Sequence, residues 1–147
     1  MSVIKYEVQV HLNKSIFWYL NGKLHREDGP AIEWADGSKF WFINGQRHRE
    51  DGPAVVRPNG GESWYINGEL HREDGPAVIY PNGSKHWYRN GQRHREDGPA
   101  IERPNGTKEY CINGEQLTEE EFNNRHIKEM TIGEIQSLLG YKIKIIE

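Results

Sequence analysis

The residues of this sequence that are best suited to chemistry recur in one short motif. The heptapeptide HREDGPA occurs four times, at 25–31, 48–54, 71–77 and 94–100, and each copy brings a histidine, an arginine and two carboxylates together. A histidine with an aspartate three residues later could act as a general base that its carboxylate partner orients. Alternatively, hydrogen bonds of the histidine and aspartate fix a loop, while the arginine and glutamate face solvent.

Four identical copies favour the structural interpretation, because a catalytic centre needs one asymmetric arrangement. The sequence contains no GxSxG, HExxH or phosphate-loop motif. The single cysteine, Cys111, stands where three other repeats have phenylalanine or tyrosine, which favours packing over nucleophilic chemistry. The sequence therefore predicts a protein that is not an enzyme, without catalytic residues or a cofactor.

The same motif could bind a ligand, and three ligand classes are considered. His-x-x-Asp supplies two zinc ligands, but the next pair lies a repeat away, so no metal site is predicted. The arginines and aromatic residues could stack on nucleic acid, although the adjacent carboxylates and the net charge of −3 oppose this. A small anion held by the repeated arginines is the third class. The candidate binding residues are Arg26, Arg49, Arg72, Arg95, His48, His71, Asp51 and Asp74.

The motif belongs to a strict 23-residue period, which is typical of stacked repeats. Two dipeptide landmarks keep this period. The first turn of each repeat is Asp-Gly or Asn-Gly, at 36–37, 59–60, 82–83 and 105–106. The second turn is Asn-Gly, at 21–22, 44–45, 67–68, 90–91 and 113–114. An aromatic pair precedes each of the first four second turns, at 18–19, 41–42, 64–65 and 87–88.

Short strand-like runs flank each first turn, which predicts a hairpin with a two-residue type I′ loop. In the segment 53–66, this loop places Val55 opposite Trp64. The same pairing elsewhere joins Ile32 to Trp41, Val78 to Trp87 and Ile101 to Tyr110. The hairpins would then share a continuous aliphatic–aromatic face. HREDGP is predicted to form a loop or bulge between hairpins, so that the four loops lie along one edge.

The two ends of the chain depart from the repeat. Residues 3–12 alternate between apolar and polar, which predicts a half-buried capping strand; a three-residue loop, 13–15, would place Val10 opposite Trp18. Capping boxes at 118–121 and 131–134 predict two short helices, with Gly140 ending the second, and alternation at 141–145 predicts a last strand. This tail is expected to cover the end of the sheet, although its helices could instead bind a partner.

Together the patterns predict a mostly β fold, an antiparallel meander of stacked β-hairpins with a small C-terminal helix-helix-strand cap. The repeat array is assigned to 1–114 and the cap to 115–147. The chain has no signal-peptide pattern and no apolar run of bilayer length, and its net charge is negative. The expected location is therefore cytoplasmic, away from membranes.

The unit Trp-(Tyr/Phe)-Ile-Asn-Gly-x-x-His, followed by Asp-Gly-Pro-Ala and Pro-Asn-Gly, resembles the MORN repeat over about residues 17–114. That resemblance implies an elongated, twisted antiparallel sheet that serves as a scaffold. Lipid binding has been proposed for some MORN arrays, but the net charge of this chain argues against it. The HREDGPA form and the tail TIGEIQSLLGYKIKI also resemble repeat proteins of large bacteriophages and bacteria. This second resemblance implies an accessory protein that acts in the host cytoplasm.

These observations favour a scaffold that binds a protein partner, which in the phage interpretation is a host enzyme or defence protein that it inhibits. The alternatives are a small-anion binder that uses the HREDG loops and a nucleic-acid binder. A specific partner would contact positions that vary between repeats. They are Glu33, Val56, Ile79, Glu102, Trp34, Arg57, Tyr80, Arg103, Lys39, Glu62, Lys85 and Lys108. Exposed end strands could also pair edge to edge, which leaves a dimer open.

Overall fold

A computed structural model describes residues 5–125 and 132–140, and in these ranges the fold is mostly β. Short strands follow one another along the repeats, and the helices lie near the C-terminus. The elements are β1 Glu7–Val10, β2 Ile16–Leu20, β3 Lys23–Leu24, β4 Ile32–Glu33, β5 Lys39–Phe40, β6 Phe42–Ile43, β7 Gln46–Arg47, β8 Val55–Val56, β9 Glu62–Ser63, β10 Tyr65–Ile66, β11 Glu69–Leu70, β12 Val78–Ile79, β13 Lys85–His86, β14 Tyr88–Arg89, β15 Gln92–Arg93, β16 Ile101–Glu102, β17 Lys108–Ile112, β18 Glu115–Leu117, α1 Glu119–Asn124 and α2 Ile132–Leu139. Within the described part of the chain, no helix is long and apolar enough to cross a bilayer.

Twelve of these strands form one antiparallel sheet, in which each repeat contributes two neighbouring strands. For example, β8 pairs with β9, and β9 then pairs with β12 of the next repeat. The order across the sheet is β1-β2-β4-β5-β8-β9-β12-β13-β16-β17-β18, and β3 pairs with β2 beside this path. The predicted antiparallel meander of stacked hairpins is therefore confirmed.

A second row of hairpins surrounds the second turns and forms the pairs β6–β7, β10–β11 and β14–β15. At the turn between β10 and β11, both Asn67 (φ 50°) and Gly68 (φ 86°) have left-handed backbones, as a type I′ turn requires. The Gly68 N–H donates to the Arg47 carbonyl of the preceding hairpin at 2.8 Å. Backbone hydrogen bonds therefore join successive repeats in two places, the main sheet and this second row.

The first turns have a different structure from the predicted two-residue type I′ loop. The loop between β8 and β9 has three central residues, 58–60, because Arg57 donates to the Gly61 carbonyl at 2.9 Å. Only Gly60 there has a positive φ, of 84°. A two-residue loop would make Pro58 the last paired residue, and proline has no N–H to donate. The same loop length recurs at the other first turns.

This extra loop residue shifts the pairing, so the predicted tryptophan pairs are wrong. Val55 lies opposite Ser63 and not opposite Trp64. Its counterparts are the pairs Ile32 with Phe40, Val78 with His86 and Ile101 with Glu109. Trp41, Trp64 and Trp87 instead lie between the two hairpin rows, and the backbone N–H of each donates to an alanine carbonyl of the next repeat at 2.8 Å. Those alanines are fully buried, and the aliphatic residue that follows each one is at most 8% exposed.

The N-terminal strand is shorter and more exposed than predicted. β1 covers Glu7–Val10 of the expected 3–12, and residues 3 and 4 lie outside the described residues. The three-residue loop is 12–14 instead of 13–15, because His11 pairs with Ser15, so Val8 faces Trp18. The expected half-burial is wrong, since Val10 is 70% exposed. β1 is one edge of the main sheet, and a dimer through this edge stays a prediction.

At the other end, α1 packs on β17 and β18 and covers the end of the array, as expected. Its predicted capping box is confirmed by reciprocal hydrogen bonds between Thr118 and Glu121. Phe122 is buried, with its ring centroid 4.7 Å from that of Tyr110. Gly140 follows α2 with a φ of 73°, as predicted for its end. Thr131 of the second capping box and the strand predicted at 141–145 lie outside the described residues.

Candidate functional surfaces

The arginine of each HREDG loop (25–29, 48–52, 71–75 and 94–98) lies on a tryptophan ring. In the second loop, the Arg49 Cζ is 4.1 Å from the Trp41 ring centroid. Its Nε donates to the Asp51 carboxylate at 2.9 Å, and a terminal nitrogen donates to the Pro53 carbonyl at 3.3 Å. The equivalent distances to tryptophan are 4.2, 4.0 and 4.0 Å for Arg26, Arg72 and Arg95. All four predicted arginines therefore stabilise their own loops, and they are not solvated.

The motif's aspartate and glycine complete this arrangement. The Arg49 hydrogen bond, aided by the arginine's charge, lowers the pKa of Asp51, and Arg72 does the same for Asp74. A Cβ on Gly52 would lie 3.1 Å from the Arg49 Cζ. Because the guanidinium occupies that space, a larger residue there must displace the arginine or move the loop.

The histidines connect each loop to the following repeat. The Nδ1 of His48 accepts the Asn67 N–H at 3.1 Å, and His71 does the same with Asn90 at 3.2 Å. The same Nδ1 of His48 also lies 2.9 Å from the Asn67 side-chain oxygen, and its Nε2 lies 3.6 Å from a Glu50 oxygen in the second loop. In the described residues the loop aspartates bond to arginine rather than histidine. The His–Asp pair that both sequence interpretations considered is therefore replaced by an Arg–Asp pair.

Sequence reasoning missed the stacking of arginine on tryptophan. A signal for it exists, because a tryptophan stands eight residues before the arginine in all four copies, for example Trp41 before Arg49. One other expectation agrees with the structure. Cys111 is 2% exposed and burial raises its pKa, as suits a packing residue. Among the described residues, no group of three or more His, Cys, Asp or Glu side chains could hold a metal ion.

Successive HREDG loops enclose three similar grooves, of about 670, 670 and 570 Å³ along the chain. The central groove is lined by two arginines and four carboxylates, namely Arg49, Arg72, Glu50, Asp51, Glu73 and Asp74. The arginines are largely buried while the carboxylates are exposed. This edge therefore presents negative charge, which opposes the binding of a small anion or of phosphate groups.

The variable positions fall on the two opposite faces of the main sheet. Glu33 lies opposite Lys39, and Glu102 lies between Lys85 and Lys108, on the face that also carries the HREDG arginines. Glu33 and Glu102 additionally pair with Arg26 at 3.2 Å and Arg95 at 2.8 Å. The charges on this face are therefore largely compensated within the chain.

The other face presents aromatic and arginine side chains. This aromatic–arginine face comprises Phe17, Trp34, Phe40, Arg47, Arg57, Ser63, Tyr80, His86, Arg93, Arg103 and Glu109. Trp34 meets the Phe17 ring edge-on at 5.3 Å, and Tyr80 meets the His86 ring at 4.8 Å. Trp34 and Tyr80 nevertheless stay 42% and 43% exposed. Large rings on this face are thus held in place and remain accessible.

His86 lies on this face beside Tyr80, near the charged side chains of Arg93, Arg103 and Glu109. Burial lowers its pKa, and the positive charges of Arg93 and Arg103 lower it further, against a smaller opposite effect of Glu109. Its Nδ1 is buried and has no hydrogen-bond partner in the described structure. The neutral imidazole is therefore the form that this environment favours.

No protein-family model matches this chain, and no curated protein matches it either. The likeness to the MORN repeat therefore stays a prediction from the sequence.

Proposed function

We propose that this chain is a non-enzymatic repeat scaffold that binds a protein partner through its aromatic–arginine face. The supporting observation is that residues identical in every repeat form contacts inside the array, whereas large residues that vary between repeats stay exposed. The identical HREDG side chains bond within the array, whereas Trp34 and Tyr80 stay accessible at equivalent positions two repeats apart, with Arg57 between them. Tryptophan, tyrosine and arginine are the residue types that contribute most to protein interfaces.

The dimensions of this row suit a protein segment. Equivalent positions of successive repeats are separated by two strand spacings, so Trp34 and Tyr80 lie on strands about 19 Å apart. A β-strand of about six residues or a helix of about thirteen has that length. One secondary-structure element of a partner could therefore contact Trp34, Arg57 and Tyr80 together.

The two other binding functions receive less support from the charges. The grooves between HREDG loops carry more carboxylates than arginines, which disfavours a small anion and nucleic acid alike. The pairing of the loop aspartates with arginine also removes the His–Asp arrangement that a general base would need. If the chain is a phage product, the partner is a host protein in the bacterial cytoplasm.

The proposal is tested by capture from a bacterial lysate with quantitative mass spectrometry. The face variant is Trp34→Ala/Arg57→Ala/Tyr80→Ala, and the matched control is Glu50→Gln/Glu73→Gln, which alters exposed loop carboxylates and leaves the Arg–Asp–Trp contacts intact. Circular dichroism and thermal unfolding first establish that both variants are folded. We expect a protein that wild type and the control enrich equally and that the face variant enriches at least about tenfold less.

Two results would contradict the proposal. Loss of the captured protein in the loop control, with retention in the face variant, would place the site on the HREDG edge. Absence of any specifically enriched protein, in lysates of several bacterial hosts, would remove the support for a protein partner.

A further inference from the structure

We infer that the aromatic–arginine face contains a carboxylate-binding subsite formed by Arg47 and Arg57, with Ser63 at its base. The inference depends on the proposed function only in naming the partner as the source of the carboxylate. It is carried by a comparison between two equivalent places in the same array.

Two repeats further along the chain, the equivalent residues form a filled version of this site. Arg93, Arg103 and Glu109 correspond to Arg47, Arg57 and Ser63. One oxygen of the Glu109 carboxylate lies 2.6 Å from Arg103, and the other lies 3.6 Å from Arg93. The backbone of the array therefore places this pair of arginines where one carboxylate can bridge them.

Between Arg47 and Arg57 the described residues supply no such carboxylate, because Ser63 stands where Glu109 stands. Both guanidinium groups lie 5.9 Å from the Phe40 ring centroid, so they flank the same side chain. The Nε of Arg47 is buried and has no hydrogen-bond partner in the described structure. At the filled place the equivalent Nε, that of Arg93, donates to the Tyr88 hydroxyl at 3.5 Å, and Phe42, which stands where Tyr88 stands, has no hydroxyl. The Glu109 carboxylate meets terminal nitrogens of Arg93 and Arg103, so the terminal nitrogens of Arg47 and Arg57 are the atoms that a ligand carboxylate would contact.

Ser63 also leaves space beside Arg57. The corresponding positions hold Phe17, Phe40, His86 and Glu109, all of which are larger. A cavity of about 370 Å³ adjoins Ser63, and its wall includes Arg57, Tyr65, Leu70 and Tyr80. A fitting ligand therefore joins a carboxylate to an apolar or aromatic group, as in a chain terminus or an acidic residue beside an apolar one.

The first experiment measures binding of a small probe by NMR titration of the ¹⁵N-labelled protein. The probe is N-acetyl-L-phenylalanine, and its neutral control is N-acetyl-L-phenylalaninamide. We expect saturable shifts around Arg57 and Ser63 with the acid, and at least tenfold weaker binding of the amide. Arg57→Gln should weaken binding of the acid and leave the weak binding of the amide unchanged, since the Arg57 side chain is exposed and contacts the Phe40 ring without forming an ion pair among the described residues.

The second experiment exchanges the residue types at the two equivalent positions, 63 and 109. Ser63→Glu introduces the internal carboxylate, so we expect it to abolish probe binding and to raise Tm relative to Ser63→Gln, which has the same size and no charge. That difference in Tm should shrink at high salt. Conversely, Glu109→Ser should create a second probe site next to Arg93 and Arg103.

The inference is overturned if the acid and the amide shift the same resonances with equal affinity, or if Ser63→Glu neither blocks the probe nor exceeds Ser63→Gln in Tm. Equal binding of inorganic phosphate would also overturn it, since the site would then accept any anion. Failure of the proposed function gives a different result, namely probe binding without any captured protein. A partner that Ser63→Glu and Ser63→Gln capture equally well would show that the partner supplies no carboxylate here.

Discussion

Replacing Arg49 with alanine should destabilise the array without removing a ligand contact. The guanidinium lies 4.1 Å from the Trp41 ring centroid and is mostly buried, so we expect about 1–2 kcal/mol from the cation–π contact. The hydrogen bond to the Pro53 carbonyl adds about 1 kcal/mol. The ion pair with exposed Asp51 adds little, because solvent screens it. The expected loss in free energy of unfolding is therefore about 2–3 kcal/mol.

Urea unfolding followed by tryptophan fluorescence and circular dichroism measures this loss. Arg49→Lys keeps the charge but lacks the planar group that stacks and bonds in two directions, so its effect should be intermediate. Asp51→Asn should have the smallest effect of the three. Because each repeat contacts only its neighbours, the alanine variant should also broaden the transition, as the array loses coupling at that point.

The reasoning would be refuted by either of two results. A change below about 0.5 kcal/mol in Arg49→Ala would mean that the arginine is not part of the framework, and the predicted binding role of the loop arginines would regain support. Equal destabilisation by Asp51→Asn and Arg49→Ala would mean that the ion pair, and not the tryptophan contact, holds the loop.

Three further predictions concern turns and titration. Asn67→Ala should cost about 1–2 kcal/mol in urea unfolding because its φ is 50°, while Asn59→Ala, outside the left-handed region, should cost less. The pKa values of the loop aspartates are lowered in the folded protein, so these carboxylates stabilise it above the unfolded pKa of 3.8. That stabilisation is lost as the pH falls through the folded pKa. The difference in Tm between wild type and Asp51→Asn should therefore close between about pH 6 and pH 2. His86 also has a lowered pKa, so protonation of the unfolded chain destabilises wild type as pH falls below 6.5, and His86→Phe should gain in relative Tm from about pH 7.5 to 5.5.

The fold class was predictable because the turn signals repeat without interruption. The constant period and the Asn-Gly pairs predict a meander of hairpins, and the second turns have the type I′ geometry that Asn-Gly favours, as at Asn67 and Gly68. The capping box at Thr118 was equally visible, since it depends on residues three positions apart. These features are local, and local rules suffice for them.

The register was not predictable from the same dipeptide, because Asn-Gly occurs in two kinds of turn. At Asn59-Gly60, the Asn59 side chain accepts the Gly61 N–H at 3.1 Å, as the Asp or Asn of each first turn does with the residue two positions on, and the loop has three central residues instead of two. A shift of one residue changes which side chains share a face. This error is why the tryptophans were placed in the sheet instead of under the loop arginines.

The candidate site was only partly predictable, because the motif that looks most chemical is the most structural. Sequence alone puts His48, Arg49 and Asp51 together but does not show that the arginine lies on Trp41 from the preceding hairpin. The sequence shows which positions vary between repeats, but their division between the two faces of the main sheet depends on the register. Only the observed strand pairing therefore shows that Trp34 and Tyr80 lie on the same face of the main sheet.

In an array of near-identical repeats, a residue present in every copy serves what every copy needs, namely contact with the next repeat. The loop histidines fit that role, since the Nδ1 of each accepts the backbone N–H of an asparagine in the following repeat. The loop arginines serve another shared need, since each stabilises its own loop on a tryptophan ring. A specific function must then depend on positions where copies differ. Ser63 is the strongest such departure, because it leaves two arginines without the carboxylate that Glu109 provides at the equivalent place. If Ser63→Glu abolishes binding of a ligand and Ser63→Gln does not, that binding depends on the absence of a carboxylate between Arg47 and Arg57.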